Sequence, residues 1–197
     1  MTQSTHSTSS VRLPLEFGRV SSAAEREQIH RLNFATFVQE IRQHAPQEAA
    51  GSDPRRVDRF DAENDYVVAR RGDRVVGMVA VRGRRPFSLD DKLADLDRYL
   101  ESDRRWCEVR LLAILPEERG GLIFRGLLEA LLRVGEQCGY DAAVISAYAP
   151  RVDLYARLGA VRFGPLVGSA EIPFQPMKVT RESFASALSD LRREGHR

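Results

Sequence analysis

Between Trp106 and Phe163 the chain switches repeatedly between two kinds of periodicity. A strand-like run to Leu115 ends at Pro116, and a turn holding Gly120 and Gly121 follows. Leu122 to Val134 then repeats at helical spacing, with Leu127, Leu128, Leu131 and Leu132 demanding burial and Gly139 placed to end the helix. Ala142 to Ala147 reads as a second strand, Val152 to Leu158 as a short helix. Strands interleaved with helices, after an antiparallel hairpin, predict an α/β (α+β) fold with a mixed central sheet flanked by helices.

The flanking segments fit that frame. Ser21 and Ser22 are N-cap candidates for a helix to about His44, with Phe34, Phe37, Val38 and Ile41 on the face that packs against the sheet. A more polar stripe of Asn33, Phe37, Glu40 and His44 runs beside that face and could border a cleft. Tyr66–Ala69, Arg71-Gly72-Asp73 and Val75–Val81 form a hairpin signal, and Gly77 marks a bulge. Asp90 to Leu100 reads as a short acidic helix or irregular insertion. Two strands over Val161–Val167 and Glu171–Val179, and a helix from Thr180 to Arg193 capped by Thr180, complete the reading. Residues 21 to 197 form one domain; residues 1 to 20 are mostly a disordered tail, polar at first and without a signal-peptide core.

Composition excludes several classes of function. With 30 Lys plus Arg against 28 Asp plus Glu, the net charge of +2 leaves no footprint for nucleic acid. No run is long and apolar enough to span a bilayer. Cys107 and Cys138 are too far apart for a redox or metal motif and imply a reducing, cytoplasmic setting, with Cys107 a buried inert thiol. His6, His30, His44 and His196 lack ligand spacing, so no metal is expected.

The chemistry concentrates on the Trp106 strand. Alternation places Trp106, Glu108, Arg110 and Leu112 on one face and Cys107, Val109, Leu111 and Ala113 on the other. Glu108 and Arg110, in a central strand, need partners. They are either a structural ion pair or a base and a carboxylate clamp.

The order of elements in Trp106–Phe163, the turn Pro116-Glu117-Glu118-Arg119-Gly120-Gly121-Leu122-Ile123-Phe124 and the segment Leu154-Tyr155-Ala156-Arg157-Leu158-Gly159 resemble the acyl-transfer core of the GNAT superfamily. With Asn33-Phe34-Ala35-Thr36-Phe37-Val38-Gln39-Glu40 and Asp58-Arg59-Phe60-Asp61, the front half looks like long-chain N-acyl amino acid synthases, relatives of the acyl-homoserine lactone synthases. In the latter the helix reads Arg-x-x-Val-Phe; Asn33 and Thr36 here disfavour lactone synthesis.

The resemblance implies an N-acyltransferase that moves a fatty acyl group from an acyl carrier protein or acyl-CoA thioester to a primary amine of an amino acid or of a peptide Lys or ornithine. Catalytic candidates are Glu108, Tyr155 and Arg110. Asn33, Phe37, Glu40, Asp58 and Asp61 are substrate-binding candidates; Leu112, Ala113, Ile114, Arg119, Gly120 and Gly121 would hold the acyl-phosphopantetheine donor. Leu122 and Phe124 stand where the superfamily carries small residues, which favours a single phosphate over a diphosphate. Arg70-Arg71, Arg82-Arg84-Arg85 and Arg104-Arg105 would dock an acidic carrier protein. The rival readings are a CoA-dependent small-molecule N-acetyltransferase and a silent acyl-binding module. A homodimer through the late proline-bearing strands stays open.

Overall fold

The computed structural model describes residues 13–43 and 54–194; His44, a candidate from the sequence, lies outside these. One sheet runs in the order β1-β2-β3-β4-β5-β8-β6, with β7 on β8. Its strands are β1 (Leu15–Arg19), β2 (Asp65–Arg71), β3 (Arg74–Arg82), β4 (Trp106–Ile114), β5 (Ala142–Tyr148), β6 (Val161–Arg162), β7 (Val167–Gly168) and β8 (Pro173–Thr180). Among the described residues, only β4 and β5 pair parallel. The helices are α1 (Ala23–Asn33), α2 (Gly121–Cys138), α3 (Val152–Arg157) and α4 (Arg181–Glu194).

Local chemistry accounts for most boundaries. Ser22 caps α1 by accepting the amide of Glu25, Gly139 closes α2 in the left-handed region at φ 69°, and Thr180 Oγ1 accepts the amide of Ser183 at the start of α4. The hairpin turns on Gly72. The slip beside Gly77 brings α2 so close that a methyl there would stand 3.1 Å from Leu127.

Three expectations are corrected. Leu15–Arg19, assigned from sequence to the tail, form edge strand β1, and Phe17 lies over Gly126 of α2, where any side chain would collide with the ring. The late strand over Val161–Val167 breaks into β6 and β7 around Gly164 and Pro165, because Gly164 sits at φ 59° and Pro165 has no amide for a ladder. Finally, α1 does not run on regularly; from Phe34 to Glu40 it widens into a π-helix, with the amide of Ile41 reaching Thr36 O at 2.9 Å.

Two layers cover the sheet. The buried cluster holding Leu127, Leu128, Leu131 and Leu188 packs α2 and α4 on one face. On the opposite face, Ile29, Leu32 and Phe37 of α1 and its π-helical extension meet Tyr66, Val68, Met78 and Ala80. Phe87, Leu89, Leu93 and Leu96 of the connection from β3 to β4 cover Val144, Phe163 and Phe174.

Candidate active site

The site begins with a defect in β4. Leu111 adopts φ 56°, a left-handed conformation that costs a non-glycine residue about 1 kcal/mol or more. The register against β3 slips between Met78 and Ala80, which pair with Ala113 and Arg110. This bulge reverses the expected alternation. Glu108 and Arg110 share the α1 face, but beyond them Leu111 and Ala113 join that face while Leu112 and Ile114 turn toward α2. Pairing with β5 stops at Val109–Ile145, although β4 runs on to Ile114 and β5 to Tyr148.

The two strands therefore splay, and a cavity of about 590 Å³ passes between them. On the α2 and α4 side it is walled by Leu128, Leu131, Leu132, Leu158 and Phe184, with Gly135 leaving open space. On the other side it meets Ser88, Lys92, Arg110, Ser146, Tyr148 and Phe174. An apolar channel thus joins a polar chamber through the gap in the sheet.

Candidates from the sequence divide into two groups. Phe37, Glu40, Arg110, Leu112, Ala113, Ile114, Arg119, Gly120, Gly121 and Tyr155 line the cavity; Asn33, Asp58, Asp61 and Glu108 stand behind its walls. Glu108 is wholly buried and accepts hydrogen bonds from the amide of Ser88 at 2.9 Å and from its hydroxyl. Ser88 itself borders the cavity, and Glu108 does not.

Arg110 puts both terminal nitrogens on Asp58, at 3.1 and 2.9 Å. Asp58 also accepts from the Phe60 amide and from Asn64. Asp61 is equally occupied, by His30, Tyr66 and Arg26. Burial would raise its pKa, but these hydrogen bonds hold it below the usual value. Asp58 thus holds Arg110 directly, and among the described residues Asp61 connects to Asp58 only through Tyr66 and Asn64. Asn33 is 1% exposed, and neither side-chain polar atom has a hydrogen-bond partner among the described residues.

At the mouth, Arg119 donates to Ile114 O and grips Glu40 with both terminal nitrogens, which holds the Glu40 carboxyl below its ordinary value. Gly120, extended, caps α2, and nothing lies within 4 Å of a side-chain position on Gly120 or Gly121. The first amides of α2 are therefore approachable by an anion. Burial raises the pKa of Tyr155, with Arg151 opposing, so its phenol keeps its proton at neutral pH. Burial pushes the Cys107 thiol up to about 12, which leaves it a poor nucleophile.

Three residues escaped the sequence reading. Ser88 sends no signal, because only the fold brings its loop to Glu108. Ser146 is the one hydroxyl in the apolar run Ala142–Ala147, and its Oγ, buried beside the splay, lacks a hydrogen-bond partner among the described residues. Lys92 is one of only two lysines in a chain with 30 basic residues, a rarity that could have drawn attention. Among the described residues no group of three or more His, Cys, Asp or Glu is placed to hold a metal, and no helix is long and apolar enough to cross a membrane.

The docking clusters are largely committed to internal pairs. Arg82 is paired with Glu63 and has a side chain only 2% exposed, while Arg70 and Arg71 are held by Glu25 and Glu118. Of these clusters, Arg84, Arg85 and Arg105 are exposed and Arg104 is partly so.

A mostly antiparallel sheet with one splayed parallel pair and a bulged strand at the gap is the GNAT-like fold. The same architecture appears in FeeM, an N-acyl amino acid synthase from uncultured soil microbes (TM-score 0.69, 16% identity, covering 88% of this chain and 94% of that one). It appears in BjaI, a CoA-dependent acyl-homoserine lactone synthase (0.69, 17%, 90% of each chain), and in an acyl-CoA N-acyltransferase from Pseudomonas aeruginosa (0.58, 19%, 85% and 99%). No curated protein matches the sequence. The family model of the N-acyl amino acid synthase FeeM matches residues 40–180, and the chain belongs to that family of N-acyltransferases.

Proposed function

We propose that the chain transfers a fatty acyl group from a phosphopantetheine thioester to a primary amine by direct attack, without an acyl-enzyme. The observation that carries this reading is the cavity through the β4–β5 splay, apolar on one side of the sheet and polar on the other. That shape lets an acyl chain, a thioester and an amine meet in line. The pantetheine arm would pair with the free edge of β4 at Leu112, Ala113 and Ile114. Its phosphate would meet the amides of Gly120 and Gly121 and the Arg119 guanidinium, in place of Glu40.

The amine would enter from the chamber that holds Ser88 and Arg110 and donate a hydrogen bond to Ser88 Oγ. Its lone pair attacks the thioester carbon and forms the C–N bond. The surplus proton passes to Ser88 Oγ as the serine proton passes to Glu108. The C–S bond breaks, and Tyr155 supplies a hydrogen bond or proton to the leaving sulfur. Asp58 and Asp61 serve as positioning residues for Arg110 in this scheme, and Asn33 and Phe37 shape the wall between chamber and helix. Leu122 and Phe124 argue for the single phosphate of a carrier protein as donor, and exposed Arg84 and Arg85 offer a docking surface.

The test is incubation with long-chain acyl carrier protein, long-chain acyl-CoA and acetyl-CoA, each with amino acids and lysine peptides, followed by mass spectrometry. Long-chain N-acyl product from the carrier-linked donor supports the full reading. Product from acetyl-CoA overturns the donor assignment, and acyl binding without product from any donor overturns the transferase.

A further inference from the structure

We infer that Ser146 donates its hydroxyl hydrogen to the thioester carbonyl oxygen of the donor and holds the negative charge that gathers there during attack. The inference rests on the acyltransferase reading of the cavity. It starts from a group that the fold leaves without a partner. Ser146 borders the cavity, yet its Oγ is buried and has no hydrogen-bond partner among the described residues. A buried hydroxyl left unpaired costs stability, and an alanine in its place would escape that cost. The run around it, Ala142 to Ala147, is otherwise apolar. Pro176, its partner on β8, has its carbonyl taken by the amide of Phe163 at 3.0 Å and the side chain of Gln175 at 3.1 Å. Packing gives no reason for a serine here.

The place of Ser146 in the sheet supplies the reason. Glu108 pairs with Val144 and Val109 with Ile145, and there the parallel ladder of β4 and β5 ends. Ser146 is thus the first residue of β5 beyond the last pair, where the two strands part. Alternation sets it between Val144 and Tyr148, both in the cluster with Phe174. That is the side of the sheet where the cavity meets Ser88 and Arg110. A pantetheine arm with its phosphate at Gly120, lying along Ile114, Ala113 and Leu112, would bring its sulfur back to this point. The acyl chain would leave between the strands toward Leu128, Leu131 and Gly135, which line the apolar side. The thioester carbonyl would then lie at the parting of the strands, beside Ser146.

A hydroxyl suits that position. As the amine lone pair forms the C–N bond, the carbonyl π electrons move onto oxygen. A donor already in place and stripped of water stabilises that charge without reorganising. The serine keeps its proton throughout. When the C–S bond breaks, the carbonyl re-forms and the electron pair leaves with the sulfur, where Tyr155 acts. Three polar groups divide the work: Ser88 leads the amine proton to Glu108, Ser146 holds the oxygen, and Tyr155 meets the sulfur. Ser146 is not placed as a nucleophile, because among the described residues no base engages its Oγ.

The experiment compares wild type and Ser146→Ala with long-chain acyl carrier protein as donor and amino acids as acceptors. In S146A kcat should fall about 10²–10³-fold, the worth of one oxyanion donor, with donor KM within about twofold of wild type. The melting temperature should not drop, since the variant removes an unpaired buried hydroxyl. A second readout is the infrared band of an isotope-labelled thioester carbonyl on the bound donor, taken without acceptor. Wild type should hold that band at lower frequency than S146A does. Wild-type kcat in S146A overturns the inference, and so do equal bands in the two proteins. A lower melting temperature together with weakened donor binding would mark a structural residue and overturn it as well. So would an acyl group found on Ser146, which would make it a nucleophile, or a loss confined to chains oxygenated near the carbonyl, which would make it a reader of the chain. If wild type forms no product, the transferase reading fails separately. The carbonyl band then decides alone: a lowering that S146A abolishes upholds the hydrogen bond, and no lowering overturns it.

Discussion

Glu108 is wholly buried and is hydrogen-bonded by Ser88, so the proposed mechanism routes its proton through that serine. That geometry ties two variants together. Glu108→Gln should lower kcat by about 10²–10⁴, the usual worth of a positioned acid or base. Ser88→Ala should approach the same loss although it removes no charge. Donor binding, measured by titration with acyl carrier protein, should hold in both. A Ser88→Ala enzyme of wild-type kcat would mean that the amine reaches Glu108 by another route. Tyr155→Phe is the complementary case. Because burial raises the phenol pKa, the hydroxyl remains a donor throughout the neutral range and above it. Its loss should reduce kcat about 10- to 100-fold with little change in donor KM, and a carrier thiol of lower pKa should restore part of the rate. Equal rates for good and poor leaving groups in Tyr155→Phe would refute the assignment.

At the scale of elements, α2 does two jobs that pull its sequence in different directions. Its leucines close the main core, yet Gly135 sits on the cavity side with empty space around it, in a helix interior where glycine is unfavourable. Gly135→Ala should therefore stabilise the protein by about 0.5–1 kcal/mol, read from urea unfolding. Gly135→Leu should fill the channel and move the preferred donor to shorter acyl chains. Competition among donors of graded length, scored by mass spectrometry, checks this; an unchanged preference would show that the chain does not run beneath α2. The π-helix poses a similar conflict. Its wider turn brings Thr36, Phe37, Glu40 and Ile41 onto the cavity within a narrower arc than α-helical spacing would give.

For the whole molecule, acid sensitivity can be traced to a pair far from the chemistry. Glu25 is held by hydrogen bonds from Arg70, against the cost of burial, and by the amide of Ser21, which together bring its pKa from 4.5 to about 2. The folded pKa is depressed, so the linkage stabilises the fold above about pH 4.5 and fades as pH falls toward 2. Glu25→Gln should cost about 1–3 kcal/mol at neutral pH. The gap between wild type and variant in urea midpoints should narrow through that acid window. A gap independent of pH would show that the loss came from packing instead. The pair joins α1 to β2, so its loss would loosen the layer that carries Phe37 and Glu40.

Much of this was legible in the chain. Ser22, Gly72, Gly139 and Thr180 each mark a boundary through chemistry confined to a few residues, and the leucines of α2 announce a buried face by period alone. The order of these elements, with Glu108, Arg110 and Tyr155 on them, was enough to identify the class of fold and chemistry. Other features depended on contacts between distant segments. The left-handed Leu111 reverses the faces of β4, and a bulge on a leucine leaves no mark in a pattern of apolar residues. β1 was missed because five residues of mixed polarity become a strand only when β2 offers its edge and Gly126 makes room for Phe17. The roles of Asp58, Asp61, Ser88 and Ser146 were hidden for the same reason. Whether a polar group is spent on a partner or left facing a cavity depends on which side chains folding brings within about 3 Å, and residue order does not encode that distance locally.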